Sequence, residues 1–168
     1  MIRLLTGSTH TGKTLLAQRL LERHGAPYLS IDHLKMGLIR SGMCPLTPES
    51  PDEALTAVLW PVVREIVKTA VENGQSLTVE GCYIPFNWRE DFDASYLPHI
   101  RFLCLVFSEA YIRTRFDAIQ THANAIERRK DDSFCTMELL LAENRRNLEA
   151  CRRRGLPYYL IDGPMPCP

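Results

Sequence analysis

The chain begins with an apolar segment, residues 2–6, that leads directly into the stretch Gly7-Ser8-Thr9-His10-Thr11-Gly12-Lys13-Thr14. This stretch matches the pattern G-x-x-x-x-G-K-[ST], and a segment with apolar residues at helical spacing follows it. Its glycines allow backbone angles that turn successive N–H groups inward, toward one anion. A helix that starts there adds free N–H groups and the positive end of its dipole. The stretch therefore predicts a phosphate site between a buried strand and a helix.

The last two residues of this stretch supply a cation and a hydroxyl. We expect Lys13 to reach the β- and γ-phosphates of a nucleoside triphosphate and the Thr14 hydroxyl to bind Mg²⁺. A glycine-rich turn without a ligand can show the same letters, but the strand before it and the helix after it supply the context that a phosphate loop needs. ATP with Mg²⁺ is therefore the expected ligand, and all the residues from Gly7 to Thr14 are candidates for binding it.

Short apolar runs alternate with longer segments at helical spacing along the rest of the chain. This is the pattern of a parallel sheet covered on both faces, so the predicted class is α/β. The predicted strands are residues 2–6, 28–31, 76–79, 101–107 and 158–161. The predicted helices are residues 12–24, 33–40, 109–129 and 137–153, and a long one from residue 51 toward residue 73.

Two local signals mark the long helix. Ser50-Pro51-Asp52-Glu53 has the form of a capping box, which predicts Ser50 as the N-cap and proline at the first helical position. Pro61 predicts a kink or a division further along, because proline removes one helical hydrogen bond.

Composition limits the classes of function. The chain has 168 residues, of which 45% are hydrophobic, which suits one domain, residues 1–168, with one core. Lys plus Arg equals Asp plus Glu at 20 each, so no overall charge favours nucleic acid or an anionic membrane. The six cysteines lack zinc-ligand spacing and are expected to be reduced thiols. With no signal peptide or apolar run of membrane length, we expect a cytoplasmic protein. We also expect a small-molecule partner and no obligate protein partner.

With this loop near the N-terminus and five strands, the chain resembles the adenylate kinase-like branch of P-loop phosphotransferases. That branch includes nucleoside monophosphate kinases, shikimate and gluconate kinases, zeta toxins, chloramphenicol phosphotransferase and 2-phosphoglycerate kinase. The resemblance implies a three-layer P-loop NTPase fold with a five-stranded parallel sheet in the order 2-3-1-4-5 and helices on both faces. It also implies an acceptor site above strands two and three and a lid that carries arginines.

Asp32 follows the second predicted strand. In several kinases of this branch the matching acidic residue holds or deprotonates the acceptor hydroxyl, so the resemblance implies a catalytic role for Asp32. The residues themselves leave another role open, that of an N-cap for the helix at residues 33–40. Lys35 and Arg40 on that helix could bind an anionic acceptor or could be solvated surface cations.

Glu80 ends the third predicted strand, at the height of a Walker B carboxylate. The sequence Val79-Glu80-Gly81 resembles the matching strand of 2-phosphoglycerate kinase and zeta toxins more than the usual Walker B aspartate. Glu80 could bind Mg²⁺, contact the acceptor, activate water, or be satisfied by neighbouring backbone groups. We assign it to the metal site together with Thr14. The next loop carries Tyr83, Asn87, Trp88 and Arg89. These residues could line an acceptor pocket, or the loop could be plain surface.

An arginine-rich segment around residues 113–135 lies where the resembling kinases have their lid. The resemblance implies that Arg128 and Arg129 close over the triphosphate and neutralise charge that develops during transfer. The same arginines could instead be exposed helix charges that pair with Asp131 and Asp132. The candidate catalytic residues are Lys13, Asp32, Arg128 and Arg129.

These residues favour an ATP-dependent phosphotransferase that moves the γ-phosphoryl group to a small hydroxylated or phosphorylated acceptor. An alternative is a P-loop ATPase or nucleotide-controlled switch that acts on a protein partner, with Glu80 positioning water. A protein that binds nucleotide without turnover is a third possibility, against which the intact Lys13 and Thr14 argue. No motif in the sequence identifies the acceptor.

Overall fold

Five parallel strands form one sheet in a computed structural model of the chain, which describes residues 1–122 and 135–163. The strands are β1 Ile2–Gly7, β2 Tyr28–Ser30, β3 Leu77–Glu80, β4 Ile100–Phe107 and β5 Tyr158–Ile161. Their order in the sheet is β2-β3-β1-β4-β5, with all neighbours parallel. The predicted strand order is confirmed, and each predicted strand agrees with the structure to within one residue at each end.

Helices cover both faces of this sheet. They are α1 Lys13–His24, α2 Ile31–Arg40, α3 Asp52–Glu72, α4 Glu109–His122 and α5 Met137–Arg154. On one face Leu4 and Val79 pack with Val63 of α3. On the other face Leu5 packs with Ala17 of α1. Because both faces are covered, the strands read as continuous apolar runs rather than alternating ones.

The start of α3 differs from the prediction. The helix begins at Asp52, Pro51 stands at its N-cap position, and no side chain caps it. The Ser50 hydroxyl instead accepts a hydrogen bond from the backbone N–H of Thr47 at 3.0 Å, because it closes the turn over residues 47–50. The predicted capping box is therefore wrong.

Pro61 does not divide α3, which runs as one helix from Asp52 to Glu72. The ring lies on the exposed side of the helix, while its neighbours Trp60 and Val63 are buried in the core. Packing of the buried side therefore holds the helix together across the hydrogen bond that proline removes.

The start of α2 also corrects an expectation. The helix begins at Ile31, and Ser30 occupies its N-cap position. Asp32 lies inside the first turn, so its possible role as the N-cap is wrong. A carboxylate in the first turn still interacts favourably with the helix dipole.

Helices α4 and α5 flank residues 123–134, which the structure does not describe. The backbone of α4 is non-helical at Arg115, with φ −130° and ψ 19°. The predicted continuation of α4 to residue 129 lies outside the described residues. Helix α5 begins after Thr136, whose hydroxyl accepts a hydrogen bond from the backbone N–H of Leu139 at 3.2 Å. Among the residues the structure describes, no helix is long and apolar enough to cross a membrane.

Candidate active site at the carboxyl edge of the sheet

The predicted phosphate loop joins the end of β1 to the start of α1. Its backbone takes positive φ at Gly7 (146°), His10 (64°) and Gly12 (81°). A Cβ atom at Gly7 would lie 2.4 Å from the carbonyl oxygen of Leu105 on β4, so no other residue fits there. These angles fold the loop back over the N-terminus of α1, where free N–H groups gather.

Several polar groups of the loop bond to the loop itself. The Lys13 ammonium donates a hydrogen bond to the carbonyl oxygen of Ser8 at 2.8 Å, and the Thr11 hydroxyl donates to the same oxygen at 2.9 Å. The Ser8 hydroxyl is buried and has no hydrogen-bond partner within the protein. A buried donor without a partner is expected to meet a ligand or water.

Lys13 is buried and keeps its charge. Burial opposes the charge, but the nearby Cys82, Glu80 and Asp32 outweigh that effect and raise the pKa of the Lys13 ammonium. Lys13 therefore stays cationic at any physiological pH. The carboxylates of Glu80, at the end of β3, and of Asp32, in the first turn of α2, lie within electrostatic range of Lys13, which brings three of the predicted site residues together.

Thr14 and Glu80, predicted as metal ligands, lie next to each other. The Thr14 hydroxyl donates a hydrogen bond to Oε1 of Glu80 at 3.3 Å, and Glu80 is 1% exposed. A hydroxyl and a carboxylate are the oxygen donors that Mg²⁺ prefers. The described residues contain no group of three or more His, Cys, Asp or Glu side chains that could hold a metal. The donor set thus suits a cation that takes its remaining ligands from phosphate and water.

Ser30 belongs to the same site, although sequence reasoning did not select it. Ser30 and Glu80 are register partners on the neighbouring strands β2 and β3, so their side chains point to the same face of the sheet. The Ser30 hydroxyl is buried and without a partner in the protein. Its position at the end of β2, two residues before Asp32, is the signal that could have identified it.

Asp32, Lys35 and Tyr83 form one connected group between the start of α2 and the loop after β3. The Lys35 ammonium lies 2.8 Å from Oδ1 of Asp32, donates to the Tyr83 hydroxyl at 3.0 Å, and lies 5.1 Å from the centre of the Tyr83 ring. The Lys35 side chain is 12% exposed and that of Asp32 is 42% exposed. Burial opposes the Lys35 charge, but the bond to Asp32 outweighs it and raises the pKa of Lys35. Lys35 is therefore not a solvated surface cation.

The loop after β3 serves partly as core. Tyr83 is buried and bonded to Lys35, whereas Trp88 stacks on Phe102 inside the apolar cluster. Arg89 is exposed and lies over the Trp88 ring. Of the residues proposed for an acceptor pocket, the structure thus joins Tyr83 to the site and places Trp88 in the core.

Glu143 of α5 lies near the phosphate loop, and the sequence analysis missed it. Burial raises the pKa of the Glu143 carboxyl, and the charge of Asp52 adds to the rise; the nearby backbone of Thr9 and the charges of Arg146 and Lys13 counteract it. No local pattern marks Glu143, because its position depends on how α5 packs against the sheet.

The predicted lid is described only in part. Arg128 and Arg129 lie outside the described residues, as do Asp131 and Asp132. Arg113 and Arg115, near the start of α4, are both exposed, and Arg113 is paired with Glu109 at 2.8 Å. The two described arginines of this segment are thus surface cations of α4.

No protein-family model and no curated protein matches this sequence. Solved structures do match it in fold. A deoxyadenosine kinase from M. mycoides gives a TM-score of 0.57 at 9% identity, covering 99% of this chain and 93% of that one. A sugar kinase from a Janibacter species gives 0.54 at 18% identity, covering 99% and 87%. A shikimate kinase from Bacteroides thetaiotaomicron gives 0.53 at 13% identity, covering 96% and 85%. The chain therefore has the α/β fold of P-loop small-molecule kinases, as its resemblance to them implied.

Proposed function

We propose that this protein is an ATP-dependent kinase that transfers the γ-phosphoryl group to a hydroxyl of a small acceptor. One observation carries the proposal: β1 and β2 flank β3 in the sheet, and the Asp32 carboxylate that follows β2 lies within electrostatic range of Lys13 in the loop that follows β1. A triphosphate held by the loop would meet an acceptor hydroxyl held by Asp32. Phosphoryl transfer depends mainly on such positioning and on neutralising charge.

The loop would hold ATP through its backbone and Lys13. The N–H groups between Gly7 and Thr14 would bind the phosphates, and Lys13 would exchange its bond to the Ser8 carbonyl for the β- and γ-phosphates. The buried Ser8 hydroxyl is a further donor for a phosphate oxygen. Kinases take the phosphoryl group from a nucleotide. The fold shared with named kinases therefore supports a nucleotide as the ligand of this loop.

Thr14 and Glu80 would hold Mg²⁺. When bound there, the ion would neutralise part of the negative charge of the phosphates. Glu80 would give up its hydrogen bond from Thr14 and turn its carboxylate toward the ion, directly or through water. The Ser30 hydroxyl on the same face of the sheet would bind a water molecule of that shell.

Asp32 would orient the acceptor. Lys35 bonds to Oδ1 of Asp32, so the second carboxylate oxygen stays available to accept a hydrogen bond from an acceptor hydroxyl. Tyr83 holds the Lys35 ammonium from the other side and so fixes the pair. The fold neighbours named for sugar, gluconate, shikimate and deoxyadenosine support a small hydroxylated acceptor. As ATP is a cytoplasmic substrate, we place the activity in the cytoplasm.

The residues 113–135 complete the proposal as a lid, with Arg128 and Arg129 as the groups that contact the triphosphate. The whole chain, residues 1–168, would then act as one kinase domain. This part of the proposal rests on the position of the segment between α4 and α5 and on its arginines.

The test is release of ADP by the purified protein with Mg²⁺ and ATP, with and without sugars, hydroxy acids, nucleosides and monophosphates. We expect one class of acceptor to stimulate release and the Lys13→Ala variant to abolish it, because the charge that faces the phosphates is gone. The Lys68→Ala variant removes an exposed ion pair on α3 and is the matched control. Turnover that ignores every acceptor would favour an ATPase, and near-normal turnover by Lys13→Ala would refute the site.

A further inference from the structure

The two edges of the sheet differ in how well they are protected. Strand β2 forms one edge with only three residues, Tyr28–Ser30, and Pro27 stands directly before it. Strand β5 forms the other edge with Tyr158–Ile161, which contains no proline and no charged residue. Natural sheets protect an edge with a short strand, proline or charge, because unpaired backbone groups there can pair with another chain. The β2 edge has such protection, and the β5 edge lacks it.

Large apolar side chains are exposed along β5. Tyr158, Tyr159 and Leu160 follow one another and are 36%, 37% and 39% exposed. Neighbouring residues of a strand point to opposite faces, so β5 is open on both faces as well as along its edge. Elsewhere among the described residues, the exposed large apolar side chains are scattered: Met1, Met43 and Val62. A scattered apolar residue is normal on a protein surface, whereas a run of three on an unpaired strand indicates a contact surface.

The backbone of β5 turns its free hydrogen-bonding groups outward at two residues. The carbonyl oxygens of Pro157 and Ile161 accept bonds from β4 and from the residue after it, at 3.2 Å and 3.1 Å. Because backbone groups face alternate sides along a strand, the N–H and C=O of Tyr158 and Leu160 face away from β4. No described residue bonds to these groups. The edge therefore offers two donors and two acceptors.

A second copy of β5 that runs antiparallel to the first would satisfy all of these groups. When Tyr158 of each copy lies opposite Leu160 of the other, both pairs exchange two N–H···O=C bonds. This register is centred on Tyr159, which then lies opposite Tyr159 of the other copy with the two side chains in contact. The same surface serves both copies, so the assembly closes at two chains.

Charges at the two ends of β5 favour the antiparallel direction. Helix α5 ends in the exposed residues Arg152, Arg153 and Arg154, shortly before β5 begins, and the exposed Asp162 follows β5. Arg154 also pairs with Glu90 of its own chain at 3.1 Å. Antiparallel pairing brings Asp162 of one copy toward the arginines of the other, whereas parallel pairing would bring the two sets of arginines together. Acidic and basic residues are equal at 20 each, so no net charge opposes association.

We infer that this protein forms a symmetric dimer through antiparallel pairing of β5, which joins the sheets of two copies into one continuous sheet. The partner is a second copy of this chain, because the register, the free backbone groups and the charges at the ends of β5 are all complementary to themselves. The inference concerns assembly and does not depend on the proposed kinase activity.

The experiment measures the mass of the full chain by sedimentation equilibrium at several concentrations. We expect wild type to have the mass of two chains at about 50 µM. The variants Y159K and Y159E each place like charges opposite each other at the centre of the pairing, so each should raise the dissociation constant about tenfold or more. An equimolar mixture of Y159K and Y159E should recover the mass of two chains, because opposite charges then face each other.

Two further variants separate loss of pairing from loss of folding. V62K adds the same charge at an apolar residue of α3 that is 38% exposed, and it should keep the wild-type mass. L160P removes an N–H that faces away from β4, a position where an edge strand tolerates proline. It should therefore keep the circular dichroism spectrum of wild type and have the mass of one chain.

Three results would overturn the inference. The first is a wild type that stays a single chain at about 100 µM, whether its β5 edge is open or covered by residues 164–168. The second is a dimer that persists in folded Y159K and L160P, because its contact would then lie elsewhere on the surface. The third is a mixture of Y159K and Y159E that stays monomeric, because Tyr159 of one copy would then not face Tyr159 of the other.

Discussion

Asp32 and Lys35 show how a single pair of side chains can separate the possible roles of a residue. Asp32 is no helix cap, since Ser30 holds that position. Its carboxylate is nearly half exposed while the Lys35 ammonium beneath it is nearly buried. An ion pair built for stability alone would have little reason to leave its carboxylate this exposed. That exposure favours a role in orienting a ligand.

Replacing Asp32 with Asn should therefore lower acceptor-dependent transfer by roughly 10²-fold or more, because the amide cannot accept the proton of the acceptor hydroxyl. ATP affinity should stay nearly unchanged, as should any slow hydrolysis without acceptor. Steady-state kinetics with and without acceptor measure both. Asp93→Asn, on an exposed residue, is the control. Transfer at the wild-type rate in Asp32→Asn would remove Asp32 from the catalytic site.

Replacing Ser30 tests its role, because the change should leave stability equal or higher while it weakens the response to Mg²⁺. Its buried hydroxyl lacks a partner within the protein. Removing an unsatisfied buried hydroxyl is neutral or stabilising, so Ser30→Ala should unfold at the same temperature as wild type or a higher one. If the hydroxyl binds a water of the Mg²⁺ shell, the Mg²⁺ concentration for half-maximal transfer should rise about threefold to tenfold. An unchanged Mg²⁺ requirement would leave Ser30 without a role in transfer.

The residues of the site divide by whether their role has a local signature. Gly7, Lys13 and Thr14 could be predicted because the phosphate loop encodes its chemistry in consecutive letters. Ser30 could not, because its place beside Glu80 depends on the register of two neighbouring strands. Such long-range contacts leave no spacing in the sequence to find.

Among the elements, strands were predicted more closely than helix ends. Apolar runs buried on both faces end sharply at polar residues, which fixes each strand to within one residue. The predicted N-caps of α2 and α3 were wrong, because a Ser or Asp side chain near a helix start can bond to several different backbone groups. At α3 the Ser50 hydroxyl closes a turn rather than the helix. Where a side chain can cap a helix or close a neighbouring turn, the helix start depends on which of the two hydrogen bonds forms.

Asn144 is the polar contact by which α5 meets the end of β4. Asn144→Ala leaves the buried N–H of Phe107 without its partner, which should cost about 1–3 kcal/mol of unfolding free energy. Urea unfolding followed by circular dichroism measures the loss. Asn147→Ala, on the same helix and less buried, should cost far less. Equal losses in the two variants would mean that helix propensity, rather than the bond to Phe107, is responsible.

At the scale of the whole molecule, the resemblance to P-loop kinases supplied the strand order, and periodicity supplied the class. Sequence spacing alone cannot say that β3 lies between β2 and β1, because this depends on which strands their helices allow to meet. The resulting order places the ends of β1, β2 and β3 side by side. Lys13, Asp32 and Glu80 meet there, although 67 residues separate the first from the last.

The lid is proposed at residues 113–135 because this stretch runs from α4 toward α5 and carries Arg128 and Arg129.

The lid proposal predicts a specific division between kinetic constants. Replacing Arg128 and Arg129 together with Ala should lower kcat more than it raises KM for ATP, because their contacts would strengthen only as charge develops during transfer. A loss of about 10²-fold in kcat with less than about threefold in KM fits the removal of transition-state contacts. The matched control is Arg152→Ala with Arg153→Ala, two exposed arginines at the end of α5. In wild type, a non-hydrolysable ATP analogue should slow amide exchange between residues 123 and 134. A double variant that loses only ATP affinity, with kcat intact, would mean that these arginines bind the nucleotide without assisting transfer.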